Sequence, residues 1–381
     1  MIPFAGSGAV LRTTHGSARI EKEAARLDPA LWNAAFAGRC LDARYYEALE
    51  ASLAGQFDFR YAVLENARTG QSAIQPFFFA DQEITAGLPK RLRWLGRLPR
   101  VKMAVAGCAA GEGELACAEP WALEALEETL AQCARREGAR ILLFKDFPAR
   151  YRPLFAALHR RGYRRVPSMP GATLALDFSS FEEYLQTRVG ADARSNLRRD
   201  LRTGARGGAL TLEVVRDAAP SLGEITPLYL QTHEQSDFQF ERLNAAYFAE
   251  LGRRMPDRTR FFLWRNAEGR LLAFALCLVH GGVLHYLNVG LDYPEALERH
   301  LYFIVWRDLV TWALQQGLRS IETGQLNYEV KRRLGFRLAP RDLYARHVSP
   351  VAAPFFACAL RFLQPARHDP ALRQFPNTDE L

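Results

Sequence analysis

The strand-like segment from Val283 to Leu291 carries side chains that could do acid–base chemistry. Its sequence, VLHYLNVGL, alternates as a β-strand does, which predicts His285 on one face and both Tyr286 and Asn288 on the other. An imidazole can accept a proton from an amine near neutral pH, whereas a phenol and an amide can hydrogen-bond a peptide-like acceptor. His285 is therefore a candidate base or a core histidine, and Tyr286 and Asn288 are candidate substrate-binding residues.

A second group of candidates follows in the stretch SIETGQLNYEVKRRLG, residues 320–335. Glu322 ends a short predicted strand, and ligands of α/β sheets bind beyond the carboxyl ends of strands. Its carboxylate is a candidate base, a partner of a substrate ammonium, or a solvated charge. A glycine turn then leads through Asn327, a candidate substrate-binding residue, into a short predicted helix with Tyr328 and Lys331 on one face. Lys331 is either an anion-binding residue or an ordinary solvated cation.

The cationic residues point to an anionic partner. The formal net charge of +8 favours nucleotide cofactors, RNA or acidic lipid surfaces without choosing among them. Arg194, Arg198 and Arg202 share one face of a predicted helix. Guanidinium groups in such a stripe can bind phosphate through paired hydrogen bonds, or they can simply form a solvated face. The three arginines are candidate cofactor-binding residues.

The length and the order of predicted elements indicate two domains. At 381 residues the chain is longer than a single core usually grows. Helices and strands follow one another in a set order up to about residue 176, and a similar order then recurs. We expect a mixed α/β fold with a loosely ordered segment 1–27, two similar domains at 28–175 and 176–350, and a helix and tail at 351–381. The apolar stretch VAAPFFACALRFLQP within the last segment should dock on the preceding domain or make peripheral membrane contact.

Several kinds of site are missing from the sequence. The six cysteines have no CxxC or zinc-ligand spacing and are typical of buried thiols. There is no P-loop, Gly-x-Ser-x-Gly, HExxH, helix-turn-helix or RRM motif. Neither an apolar run of about 18 residues nor an export-type N-terminus occurs. We therefore expect a cytoplasmic protein that uses no metal and binds no DNA, with membrane association limited to residues 351–365.

Three stretches have an order of elements found in a known superfamily: RSNLRRDLR at 194–202, the strand, loop, helix and strand of 285–324, and GQLNYEVKRRLGFRL at 324–338. This order resembles the GNAT acyltransferase superfamily, in which a helix follows the last hairpin strand and a short helix ends in Gly-Phe. In particular, the chain resembles FemAB-like double-GNAT proteins. The resemblance implies two tandem GNAT-like domains, each an αβα sandwich around a mixed sheet.

The resemblance also implies a function. It indicates an N-acyltransferase that moves an acyl group directly from acyl-CoA to a small-molecule or peptidoglycan-precursor-like amine, in cell-envelope or polysaccharide metabolism. The second domain would carry the chemistry, and the first would be a degenerate partner. Glu322 or His285 would accept the amine proton, and Tyr328 would protonate the leaving thiolate. Lys331 and the arginine stripe would hold anionic groups of the substrates.

Two loops depart from the glycine-rich phosphate loop of the family. In the second domain, LDYPEALERH at 291–300 offers phosphate only Arg299, His300 and the N–H groups of a helix start. In the first domain, GCAAGEGE at 107–114 has glycines, but its two glutamates would repel phosphate. Two alternatives therefore stay open: a FemAB-type peptidyltransferase that uses aminoacyl-tRNA as its donor, and a GNAT-fold binding protein without catalytic activity.

Overall fold

In the computed structural model, the described residues are 10–83, 100–236, 240–361, 364 and 369–381, and the chain divides into two compact units. Unit 1 comprises Met1–Met169, Asp237–Glu241 and Pro340–His368. Unit 2 comprises Pro170–Ser236, Arg242–Ala339 and Asp369–Leu381. Each unit is therefore assembled from three separate stretches of the chain.

The described residues form both strands and helices in the alternating order of an α/β protein. The strands are β1 Val10–Thr13, β2 Gly16–Glu21, β3 Asp58–Asn66, β4 Ser72–Glu83, β5 Arg100–Ala106, β6 Ile141–Pro148, β7 Arg164–Pro167, β8 Gly171–Ala175, β9 Thr211–Val215, β10 Thr259–Arg265, β11 Leu271–His280, β12 Val283–Leu291, β13 Ser320–Thr323, β14 Arg337–Ala339 and β15 Arg341–His347. The α-helices are α1 Pro29–Ala35, α2 Ala43–Leu53, α3 Pro120–Glu137, α4 Arg152–Arg160, α5 Phe181–Arg188, α6 Ala191–Arg206, α7 Leu222–Gln235, α8 Ala245–Arg254, α9 Tyr293–Glu298, α10 Leu301–Gln315, α11 Tyr328–Arg333 and α12 Ala353–Leu360.

Unit 1 is built on an eight-stranded sheet in the order β1-β2-β3-β4-β5-β6-β15-β7. β5 and β6 are parallel, and α3 joins them. This helix starts with Pro120 in its first turn and ends at Gly138, whose φ of 73° is the left-handed conformation that closes many helices. Its apolar residues Leu123, Leu126 and Leu130 are buried in the core beneath the sheet.

Unit 2 is built on a seven-stranded sheet in the order β14-β8-β13-β12-β11-β10-β9. Here β12 and β13 are the parallel pair, and α10 joins them. The aromatic and aliphatic residues of β10 and β11 are buried along most of both strands, as expected for the centre of a covered sheet. A run of antiparallel strands, a crossover helix and a parallel strand thus occurs in both units. The predicted mixed α/β fold of two similar domains is confirmed.

Two strands lie outside the domain limits predicted from the sequence. β8 belongs to the sheet of unit 2 although it precedes residue 176, and β15 belongs to the sheet of unit 1 although it precedes residue 350. In each sheet the displaced strand pairs with the second strand of the parallel pair, β13 or β6. These pairings join residues that are distant in sequence, so local periodicity does not reveal them.

The N-terminal segment is more ordered than expected for residues 1–27. Residues 10–21 form the hairpin β1–β2, and β2 pairs with β3. Leu11, Ala18 and Ile20 are buried in the core of unit 1. The alternation of the buried Ala18 and Ile20 along β2 is the sequence signal of this strand. Residues 1–9 lie outside the described part of the chain.

The C-terminal segment 351–381 divides between the units. α12 packs against β7 and β15 of unit 1 through Phe356 and Leu360. Residues 369–381 belong to unit 2, where Leu372 is fully buried. Within the described ranges, no helix is long and apolar enough to cross a membrane.

Candidate active site

Unit 2 brings two of the three candidate catalytic residues together. His285 on β12 is the direct partner of Glu322 on β13 in the parallel ladder. The His285 Nδ1 lies 3.2 Å from the Glu322 Oε2, and the two side chains are 20% and 43% exposed. In the tautomer whose Nδ1–H donates to Glu322, Nε2 is the ring nitrogen that carries the basic lone pair. Such an arrangement can serve chemically as a base with an orienting carboxylate, and it is open to solvent on the carboxylate side.

The candidate substrate-binding residues of β12 are separated by a β-bulge. Asn288 pairs with Leu276 of β11, and Tyr286 pairs with the next residue, Cys277, so that Leu287 is the extra residue of β12. Directly paired residues of an antiparallel ladder share a face, whereas successive residues of a strand alternate. Asn288 and Tyr286 therefore lie on opposite faces of the sheet. The prediction that they share a face is wrong, because the extra residue interrupts the alternation.

The same bulge places Asn288 on the face of the catalytic candidates. His285 pairs with Leu278, which is two residues from Leu276 on β11 and so shares its face. Glu322 shares this face as the direct partner of His285. The three polar side chains His285, Glu322 and Asn288 therefore belong to one side of the sheet of unit 2.

One side-chain oxygen each of Tyr286 and Asn288 is buried without a hydrogen-bond partner among the described residues. These atoms are the Tyr286 hydroxyl oxygen and the Asn288 Oδ1. Burial raises the pKa of Tyr286 well above its usual value, so its hydroxyl stays protonated. An unpaired buried polar group costs about 1–3 kcal/mol, which makes both atoms exceptional in a well-packed sheet.

Beyond Tyr286, one edge of β12 has no paired strand among the described residues. The ladder with β13 runs from the pair Val283–Ser320 to the pair Tyr286–Thr323, where β13 ends. β12 continues to Leu291, whose N–H donates to Thr232 at 3.3 Å. In the described residues, no other strand pairs with β12 on this side between 287 and 290. Such an edge can hydrogen-bond an extended ligand that contains amides.

Tyr328 and Lys331 are buried rather than placed at an open cleft. The Tyr328 hydroxyl donates to the Pro170 carbonyl at 2.7 Å, and this side chain is 1% exposed. The Lys331 Nζ donates to the Gly324 carbonyl at 2.6 Å and lies 5.4 Å from the centre of the Tyr328 ring. These bonds hold the turn that connects β13 to α11. Asn327, which precedes α11, is exposed and has a left-handed φ of 54°.

The arginine stripe on α6 divides between protein partners and solvent. Arg194 donates to the Leu185 carbonyl at 3.3 Å, near the end of α5. Arg198 pairs with Glu182, also on α5. Arg202 is exposed. The first two side chains thus hold α5 and α6 together, and Arg202 is the member of the stripe that faces solvent.

Arg299 and His300 lie where α6 packs against the start of α10. The Arg299 Nε lies 2.6 Å from Glu295, one turn earlier on α9. His300 precedes α10 with a left-handed φ of 49°. A Cβ at Gly204 of α6 would lie 2.3 Å from the Arg299 carbonyl oxygen, so this close approach requires glycine. Gly204 is the sequence signal for this contact that was missed.

The two glutamates of the glycine-rich loop 107–114 form ion pairs with arginines of unit 1. Glu112 lies 2.9 Å from Arg341, and Glu114 lies 2.6 Å from Arg150. The two glutamates therefore have cationic partners within the protein. Within the described residues, no group of three or more His, Cys, Asp or Glu side chains is placed to hold a metal ion.

Unit 1 has no counterpart of the His285–Glu322 pair at the matching position of its sheet. The β5–β6 and β12–β13 ladders each contain four residue pairs. The third pair is His285–Glu322 in unit 2 and Val105–Leu143 in unit 1. Two aliphatic side chains can neither accept a proton nor orient a base.

The comparisons with known proteins agree with this architecture. The family model for the acetyltransferase (GNAT) domain matches residues 191–332. The Mycobacterium tuberculosis protein named 8-amino-7-oxononanoate synthase 2 is 26% identical over 232 residues, which make up 59% of this chain and 30% of that protein. The chain therefore spans less than a third of this curated relative.

Solved structures share the fold over most of both chains. L-PGS from Bacillus licheniformis has 14% identity, covers 88% of this chain and 96% of its own, and gives a TM-score of 0.52. FemX has 13% identity, covers 79% of this chain and 90% of its own, and gives a TM-score of 0.50. A tandem GNAT protein from the clavulanic acid biosynthesis pathway has 13% identity, covers 87% of this chain and 99% of its own, and gives a TM-score of 0.50. Residues 191–332 thus match the acetyltransferase (GNAT) domain model, and the chain shares its double-GNAT fold with FemX and the tandem GNAT protein.

Proposed function

We propose that unit 2 transfers an acyl group from acyl-CoA to an amine acceptor. The observation that supports this most is the His285–Glu322 pair, 3.2 Å apart, next to the unpaired edge of β12 at residues 287–290. The pair supplies a base for the amine. The edge supplies backbone N–H and C=O groups for the amides of the pantetheine arm of CoA. Donor and acceptor would then meet at the end of the β12–β13 ladder.

The reaction needs few protein groups. The amine nitrogen attacks the thioester carbonyl carbon, and His285 takes the proton that the nitrogen loses as the C–N bond forms. Glu322 keeps the imidazole oriented and stabilises the imidazolium. The C–S bond then breaks, and the thiolate leaves with its electron pair and takes a proton from solvent. Tyr328 is not assigned the proton-donor role that the resemblance implied, because its buried hydroxyl donates to Pro170.

Unit 1 acts in this proposal as a partner without its own base. Val105 and Leu143 occupy the positions that His285 and Glu322 occupy in unit 2. The loop 107–114 of unit 1 lies where a phosphate loop would be expected, and the two glutamates of this loop pair with arginines of unit 1.

A second candidate function is transfer from aminoacyl-tRNA. It is favoured by the exposed arginines of α6, including Arg202 and Arg206, and by the loop 291–300, which has no glycine-rich phosphate cradle. Phosphate contacts by such arginines would make binding fall steeply with salt, as in other nucleic-acid complexes. The acceptor in this case is also an amine, so His285 and Glu322 keep their roles.

The test combines binding and turnover. Thermal unfolding is followed with acyl-CoAs, CoA and aminoacyl-tRNA, and amine-dependent release of the CoA thiol is then measured for the wild type and Glu322→Gln. The proposal predicts stabilisation by acyl-CoA and amine-dependent thiol release that Glu322→Gln slows. Stabilisation by aminoacyl-tRNA alone, lost at high salt, would favour the second candidate. Absence of transfer from every donor would leave a binding role and reject both.

A further inference from the structure

The helix α12 has two apolar faces, and one of them points to solvent. Val351 is 78% exposed and Phe355 is 77% exposed, although both are large and hydrophobic. Val351 lies in the turn that precedes α12, four residues before Phe355. Further small or apolar residues are exposed on the same segment. We call this surface the α12 face and define it as Val351, Pro354, Phe355, Cys358 and Ala359.

The opposite side of α12 is firmly packed. Leu360 is 5% exposed and forms a cluster with Val166 and Ala345, and Phe356 packs against that cluster. The exposure of the α12 face is therefore a property of a docked helix. It does not come from a helix that has failed to find its core.

The α12 face is too small for an ordinary protein partner. Its two large side chains, Val351 and Phe355, expose roughly 300 Å² together, judged from the area that such side chains can bury. A standard protein interface buries about 800 Å² on each partner. A second copy of the chain or a folded protein would need a wider apolar surface, whereas a lipid surface can accept two inserted side chains.

The charge around the α12 face favours an anionic surface. The segment from Ser349 to Arg367 contains two arginines and no acidic residue. Arg361, which follows α12, is exposed. Arg164 of β7 is also exposed, and it pairs with Ala345, which belongs to the cluster beneath α12. Paired strand residues share a face, so Arg164 lies on the α12 side of the sheet.

We propose that the α12 face docks on an anionic lipid bilayer, with Phe355 and Val351 inserted at the headgroup level and Arg361 and Arg164 against the headgroups. Short apolar faces flanked by cations bind membrane interfaces in this way. The contact is reversible, because two side chains bury little apolar area. It depends on neither the proposed acyl donor nor the acceptor, and it concerns unit 1.

Cys358 allows a direct test, because it lies on the α12 face and is the exposed cysteine among those described. An environment-sensitive fluorophore on Cys358, in a Cys40→Ser, Cys117→Ser background, is titrated with phosphatidylglycerol vesicles and with phosphatidylcholine vesicles. The matched control carries the fluorophore at Leu297→Cys in the same background with Cys358→Ser. Leu297 is 75% exposed in unit 2, far along the chain from α12.

The proposal predicts a blue shift at Cys358 with phosphatidylglycerol vesicles, and no shift at position 297. In vesicle sedimentation, Val351→Asp with Phe355→Asp should weaken binding at least about tenfold, whereas Leu297→Asp should not. Arg361→Gln with Arg164→Gln should weaken binding and its salt dependence. Lack of wild-type binding, equal binding to both vesicle types, or no effect of the double Asp variant would overturn the proposal. Self-association that Phe355→Asp abolishes would overturn it too, by showing a second copy on this face.

Discussion

The tyrosines of unit 2 make a matched pair that tests how its hydroxyl groups are used. The Tyr328 hydroxyl donates to the Pro170 carbonyl at 2.7 Å in a buried site, whereas the buried Tyr286 hydroxyl has no hydrogen-bond partner in the part of the chain that the structure describes. Tyr328→Phe leaves the carbonyl without this donor, which should cost about 1–3 kcal/mol. For a domain of this size each kcal/mol lowers the Tm by about 2–4 °C. We expect a fall of about 2–12 °C in the transition of unit 2.

Tyr286→Phe should act in the opposite direction. It removes a buried hydroxyl that makes no hydrogen bond, so no bond is lost and the desolvation cost disappears. We expect an unchanged or raised Tm. Calorimetry and urea unfolding of both variants, together with turnover once a donor is known, give the comparison. Equal Tm changes in the two variants would show that the hydrogen bond of Tyr328 does not stabilise unit 2. A fully stable Tyr328→Phe that has lost turnover would show that Tyr328 acts in the chemistry.

Three further substitutions test other parts of the structure. Gly290→Ala places a Cβ 2.3 Å from a Phe274 ring carbon, so overpacking should cost about 1–3 kcal/mol, and an unchanged unfolding midpoint in urea would contradict this. Lys331→Met leaves the Gly324 carbonyl without its buried donor, and calorimetry should show a Tm lower by several degrees rather than a wild-type value. Burial raises the pKa of Glu241 to about 7, above its unfolded value. Its stabilisation is therefore full below the unfolded pKa and is lost as pH rises through about 7. Glu241→Gln should reduce the fall in Tm from about pH 5 to about pH 9, and an unaltered pH dependence would reject this.

Much of the fold could be predicted because it is encoded locally. The continuous apolar runs of β10 and β11 and the helical period of α3 specify elements without reference to distant residues. The repeated order of elements specified two similar domains. The placement of β8 and β15 could not be predicted in this way, because each strand joins a sheet whose other strands lie far away in the sequence.

In the candidate site, too, local features could be predicted and contacts between distant residues could not. His285 and Glu322 were each recognised from the strand that carries them, and their pairing required the register of the parallel ladder. The faces of Tyr286 and Asn288 were predicted wrongly, because a bulge has no reliable sequence pattern. The burial of Lys331 could not be predicted either, because the sequence of a cationic helix does not show which lysine ammonium donates to a backbone carbonyl.

We propose that His285 and Glu322 act as one base for acyl transfer, and a double-mutant cycle of amine-dependent thiol release is the sharpest test of this pairing. Residues that work as a unit lose most of their effect when either one is removed. We predict that His285→Gln and Glu322→Gln each lower kcat/KM by about 10–100-fold, and that the double variant is no slower than the slower single variant. Wild-type rates in either single variant, or losses that multiply in the double variant, would contradict the account.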